Sequence, residues 1–148
     1  MIKTTFTSIV GIGILLFFPT VQAFELSPTD CLARNIYFEA RGESTVGKIA
    51  VGLTVLNRAK SPRWPMEICG VVWDDWQFSW TKDGKRDIPA DMDAFREAWL
   101  IADALLQKEI GVIDFTENAT HYHSDEIQPS WSEKLEFITQ IGAHKFYR

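Results

Sequence analysis

One stretch limits the possible folds more than any other: Ser27-Pro28-Thr29-Asp30-Cys31-Leu32-Ala33-Arg34-Asn35-Ile36-Tyr37-Phe38-Glu39-Ala40-Arg41-Gly42-Glu43. It predicts one helix with both ends marked. Ser27 is a good N-cap, Pro28 suits the first helical position, and Asp30 stands where a capping-box acid would. Gly42 is expected to supply the left-handed residue that stops the helix. Leu32, Ile36, Tyr37 and Ala40 recur at helical spacing and form a buried face. Glu39 follows Ile36 by three residues and Leu32 by seven, so it shares that face. Burial makes a carboxylate costly to ionise, which raises its pKa and suits it to general acid work. The competing reading is a Glu at the edge of the stripe that reaches solvent or pairs with Arg34 or Arg41.

A second helix is expected over about Thr45 to Ala59, capped by Ser44. Val46, Ile49, Ala50, Leu53, Val55 and Leu56 are its apolar positions, and Gly47 and Gly52 permit a close neighbour. The short link makes the two helices antiparallel neighbours. Arg58, in the last turn, could pair with Glu43, orient a ligand, or act as a plain C-terminal cation. Ile68 to Trp73 reads as either strand or short helix. A polar segment follows, carrying Gln77-Phe78-Ser79-Trp80. Asp91 to Ile110 has the stripe Phe95, Ala98, Trp99, Ala102, Leu105 and Leu106, and reads as a scaffold helix. Ala119 to His123 predicts a strand, with Thr120 and Tyr122 on one face and His121 and His123 on the other. Phe137 to Ile141 and Ala143 to Tyr147 could pair with it. The class is α+β, with about three main helices and a small antiparallel sheet near the C-terminus.

Residues 1–23 combine Lys3, an apolar run and Val21-Gln22-Ala23, which together predict a cleaved secretory signal peptide, with an uncleaved anchor as the alternative. Cleavage leaves 125 of the 148 residues, Phe24–Arg148, as one domain. The chain is acidic, with a net charge of −5, and losing Lys3 makes it more so. No nucleic-acid partner is expected of such a surface. The domain is expected to be exported, periplasmic or secreted, without a stable membrane span after cleavage, and monomeric. Cys31 and Cys69 are the only cysteines. An exported pair is expected to form a disulfide, the alternative being two buried thiols.

Several blocks occur in one order: Glu39-Ala40-Arg41-Gly42-Glu43, Gly47-Lys48-Ile49-Ala50-Val51-Gly52, Leu56-Asn57-Arg58, Gln77-Phe78-Ser79-Trp80, His121-Tyr122-His123, Pro129-Ser130-Trp131, and Ile141-Gly142-Ala143-His144-Lys145-Phe146-Tyr147. They resemble the SleB-type cell-wall hydrolase family of spore cortex-lytic enzymes. The resemblance implies a lysozyme-like fold, a peptidoglycan glycan strand as substrate, and lytic transglycosylase chemistry. It implies Glu39 as the catalytic acid/base, with Glu43 as a second catalytic candidate. Gln77, Ser79, Trp80, Tyr122 and Arg58 are the substrate-binding candidates, Trp80 as a face for a sugar ring. No cofactor and no metal is expected.

Two other readings stand beside it. His121-x-His123 puts two imidazoles on one strand face, and His144 could complete a zinc site for a peptidoglycan amidase or peptidase. The many aromatics also suit a non-catalytic cell-wall-binding domain, although such a domain has no need of a buried acid at Glu39.

Overall fold

The computed structural model describes residues 25–107 and 113–148. The expected signal peptide lies outside the described residues, as do residues 108–110 at the end of the third predicted helix. Four α-helices are described: α1 (Pro28–Ala40), α2 (Thr45–Lys60), the short α3 (Ile68–Trp73) and α4 (Met92–Gln107). Three strands follow, β1 (His121–Ser124), β2 (Phe137–Ile141) and β3 (His144–Tyr147). Ile68–Trp73 is therefore the helix of the two options its sequence left open.

Helix α1 starts as its sequence requires. The Asp30 N–H donates to Ser27 Oγ at 3.1 Å, and the Ser27 N–H donates to Asp30 Oδ2 at 3.3 Å, which is a complete capping box. Its end differs from expectation. Arg41 is the C-cap in a right-handed conformation, and Gly42 is not among the glycines with positive φ. The Glu43 N–H reaches Ala40 O at 2.9 Å, and Ser44 at once caps α2. That tight right-handed turn needs no left-handed residue.

Helix α1 is the axis of the core and packs on α2, α3 and α4. Leu32, Ala33 and Ile36 are fully buried, and Tyr37 nearly so. Burial of Leu32 and of Ile36 contributes roughly 1.5–3 kcal/mol each. The Tyr37 hydroxyl accepts from the N–H groups of Ala90 and Asp91, at 3.1 and 3.0 Å, which joins α1 to the start of α4. Gly52 is where the three helices meet. A Cβ there would lie 2.6 Å from Leu105 Cδ1 and 3.1 Å from Ile36 Cδ1. Gly47 behaves differently, since a Cβ there would meet Glu43 and not a neighbouring helix. The expected Cys31–Cys69 disulfide is present and ties α1 to α3 across 38 residues.

The sheet order is β1-β3-β2, antiparallel throughout. Among the described residues only β3 pairs with β1. Gly142, at φ 57°, turns the chain between β2 and β3. A connection that short makes β2 and β3 a hairpin and leaves β1 the far edge of β3. The polar pair at the end of α2 sets the position of β1. Asn57 Nδ2 donates to Asp114 Oδ2 at 2.9 Å and to Ala119 O at 3.2 Å, and Arg58 Nε donates to Thr120 O at 2.7 Å.

Two stability effects follow from this packing. Gly52→Ala should destabilise the fold by about 1–3 kcal/mol, because Leu105 and Ile36 sit in a filled core. Replacing both cysteines by serine should lower stability by roughly 3–4 kcal/mol in the chain-entropy model. Urea midpoints of the variants against the oxidised parent measure both.

Candidate active site

The last turn of α1 carries Glu39 to the place where the helices meet the sheet. From β1, the Tyr122 hydroxyl donates to Glu39 Oε2 at 3.0 Å. The ion pairs that sequence left open are not made. Arg34 donates to the Asp87 carbonyl and Arg41 donates to the Tyr37 hydroxyl at 3.2 Å. Glu39 is partly buried. Burial is the largest influence on its carboxyl and raises its pKa, while the Tyr122 hydrogen bond and the Arg58 charge pull it back down. Burial, with the Glu39 charge adding to it, pushes the Tyr122 phenol well above its ordinary value, so it stays a proton donor.

Arg58 lies 6% exposed, its guanidinium over the Phe78 ring at 5.0 Å and the Trp64 ring at 5.6 Å. Burial lowers its pKa, but a guanidinium remains charged. It therefore supplies a fixed cation, with no Glu43 partner. Glu43 turns the other way: its Oε2 accepts from the Ala143 N–H at 3.3 Å, against the β2–β3 turn. A Cβ on Gly142 would collide with that carboxylate, so the turn and the acid fit only with glycine there.

Glu39, Arg58, Gln77, Ser79 and Tyr122 all line one cleft of about 740 Å³. Among the described residues Glu39 is the only carboxylate in its lining. Gln77 Oε1 accepts from Trp64 Nε1 at 3.1 Å, which fixes the amide and leaves its NH2 for a ligand. Trp80 stands apart from this group. It is 6% exposed, stacks on Phe38 with ring centroids 4.7 Å apart, and donates to Asn35 Oδ1 at 3.3 Å. Its indole serves the core because Phe38 and Asn35 on α1 engage its face and its N–H. Cys31 and Cys69 are structural and lie away from the cleft lining.

The three histidines all line the cleft but are held by different neighbours. His121 and His123 both pack on Trp131, whereas His144 packs on Tyr122. His123 Nε2 lies 3.0 Å from the Tyr147 hydroxyl. Among the described residues no group of three or more His, Cys, Asp or Glu is arranged to hold a metal ion. Burial, helped by Arg58 and Arg63, lowers the His121 pKa to about 4, so its ring is neutral near pH 7. An acid with a raised pKa, a neutral donor touching it and a cation nearby can deliver a proton and then hold the resulting carboxylate.

The sequence profile of the Cell Wall Hydrolase family matches residues 42–147. The chain belongs to that family. The spore cortex-lytic enzyme of Halalkalibacterium halodurans is 34% identical over 116 residues, which cover 78% of this chain and 33% of that protein. The spore cortex-lytic enzyme of Bacillus subtilis is also 34% identical, over 78% of this chain and 35% of that protein. The chain thus spans about a third of the length of these curated relatives. Among solved structures, the catalytic domain of the germination-specific lytic transglycosylase SleB from Bacillus anthracis superposes with a TM-score of 0.66. It is 27% identical, and the match covers 88% of this chain and all of that one. The catalytic domain of the Bacillus cereus SleB protein gives a TM-score of 0.62 at 24% identity, over 89% of this chain and 98% of that one. The lysozyme-like α+β architecture expected from the sequence is the one adopted.

Sequence gave part of the cleft no substrate-binding role. His121 and Trp131 form an aromatic wall, their ring centroids 5.3 Å apart, and Trp76 lines the same cleft. Composition showed the tryptophans but not which of them would escape the core. Nuclear magnetic resonance titration of labelled glutamate should find the Glu39 carboxyl above the ordinary Glu range. Tyr122→Phe removes a bond that favours the carboxylate, so it should move that titration to still higher pH. A downward move would mean that the Tyr122 bond favours the neutral acid.

Proposed function

We propose that the protein is an exported lytic transglycosylase that cleaves peptidoglycan glycan between N-acetylmuramic acid and N-acetylglucosamine, with Glu39 as both acid and base. The observation that carries this reading is that Glu39 is the one carboxylate lining the cleft among the described residues. Hydrolysis by two carboxylates requires a partner at about 5–5.5 Å for retention or about 6.5–9.5 Å for inversion. Asp75 is engaged by Lys82 at 2.7 Å, and the Glu43 carboxylate is engaged by the β2–β3 turn. In this reading Glu43 holds the turn that carries His144, and Glu39 does the chemistry.

Protonated Glu39 gives its proton to the bridging oxygen as the bond from the muramoyl C1 breaks. The glucosamine leaves as an alcohol and positive charge grows on the muramoyl ring. Glu39, now a carboxylate, takes the proton of the muramoyl 6-hydroxyl as that oxygen bonds to C1. A 1,6-anhydro ring forms, no water is consumed, and Glu39 is protonated again. The opposing influences on Glu39 suit this cycle. Burial favours the acid of the first half, and Tyr122 and Arg58 hold the carboxylate of the second. Gln77 and Ser79 offer polar partners for an acetamido sugar. Residues 1–23 act as the leader that carries the enzyme to the wall.

Digests of purified peptidoglycan analysed by mass spectrometry test this directly. The expected muropeptides carry anhydro ends, one water lighter than hydrolytic products. Ordinary reducing ends would assign the protein to hydrolysis and require a second carboxylate. Glu39→Gln keeps the shape and removes the transferable proton, and should lower the rate by about 10²–10⁴-fold with little change in melting temperature. Near-parental activity in that folded variant would remove Glu39 from the chemistry. In the active enzyme the rate should fall as pH rises through the raised Glu39 pKa, because the first step needs the protonated form.

A further inference from the structure

The chain has six tryptophans. Five of them are held by the protein. Trp64 donates to Gln77, Trp80 to Asn35 and Trp99 to Asp30. Trp73 packs on Trp80, and Trp131 packs on His121 and Tyr147. Trp76 has no aromatic neighbour and no side-chain hydrogen bond among the described residues, and it is 84% exposed. Folding gains little from an indole left in water.

The backbone at this position disfavours Trp as well. The Gln77 N–H donates to Asp74 O at 3.3 Å, closing a turn in which Trp76 is the third residue. Its φ is 65°, in the left-handed region. Glycine or asparagine is the low-cost choice at such a position, and a bulky residue is strained there. Strain of that kind persists where a site uses the side chain. The indole lines the cleft that contains Glu39, and the next residue is Gln77, whose amide Trp64 holds in place.

We propose that Trp76 is a sugar-stacking platform of this cleft, binding the apolar face of a pyranose ring in an N-acetylated glycan. It is a substrate-binding residue and takes no part in proton transfer. An exposed indole suits this task because the C–H face of a pyranose is the one part of a sugar that gains from leaving water against an aromatic ring. Gln77 beside it can hydrogen-bond the acetamido group of the same strand. The inference rests on the cleft being a glycan site, and binding can be measured apart from cleavage.

The test uses Glu39→Gln protein, which should bind glycan without cutting it, titrated calorimetrically with a tetrasaccharide of alternating N-acetylglucosamine and N-acetylmuramic acid. Adding Trp76→Ala or Trp76→Asn should weaken binding about tenfold. Trp76→Phe should keep most of it. Asparagine accepts the left-handed backbone, so Trp76→Asn should melt no lower than its parent, whereas a structural tryptophan would give a lower melting temperature. With Glu39 intact, Trp76→Asn should raise KM and leave kcat near the parental value. Unchanged binding and KM in a folded Trp76→Asn variant would overturn the Trp76 assignment alone. A Glu39→Gln parent that fails to bind the tetrasaccharide would overturn it together with the glycan reading of the cleft. Normal binding that depends on Trp76, in a protein that cleaves no glycan, would uphold the platform and sink only the transglycosylase reading.

Discussion

The burial of α1 is the constraint on which the rest depends. Helices α2, α3 and α4 pack around it, and the disulfide fixes its first turn to α3. A helix enclosed in this way leaves few directions for a polar side chain in its last turn. Glu39 emerges where the helical layer ends and β1 begins, and the Tyr122 hydroxyl meets it there. The same packing that stabilises the domain also removes water from the carboxyl. Stability and the proton affinity of that carboxyl are thus coupled at one residue.

The electrostatics around Glu39 are balanced between opposing effects. A fully isolated buried acid would hold its proton too tightly to return as a base. A carboxylate paired directly with an arginine would hardly be protonated at all. Here burial raises the pKa, and one neutral hydrogen bond and a nearby guanidinium limit the rise. Arg58 can act at that range because Thr120 O and two aromatic rings hold it in place. The end of α2 therefore both positions β1 and supplies the field at the acid. Glu43 makes a corresponding contact just after α1, seating the β2–β3 turn through Ala143.

Much of the scaffold was readable from local chemistry. Ser27 and Asp30 predicted the start of α1, Ser44 predicted the start of α2, and the apolar stripes predicted which faces would be buried. These features act within a few residues, so neighbours in sequence settle them. Gly42 was misread because a glycine after a helix usually turns left-handed, while here the immediate start of α2 closes the turn in right-handed geometry. Trp80 and Trp76 show the same limit. Both lie in one polar-looking segment with similar prospects on sequence. Phe38 and Asn35, more than 35 positions earlier, take Trp80 into the core, and nothing takes Trp76.

Sequence by itself determined the three main helices, the cysteine pair, the family motifs and the acid on the apolar face of α1, because periodicity, capping and motif order are properties of a linear chain. Tertiary structure alone decided the neighbours of that acid. Tyr122 is 83 positions from Glu39, yet its hydroxyl is the group in contact. The pairing of β2 with β3, the turning of Glu43 toward Ala143 and the exposure of Trp76 were settled in the same way. Each depends on which surfaces meet after the chain closes on itself, and the energy of a contact or of desolvation is defined only once both sides are in place.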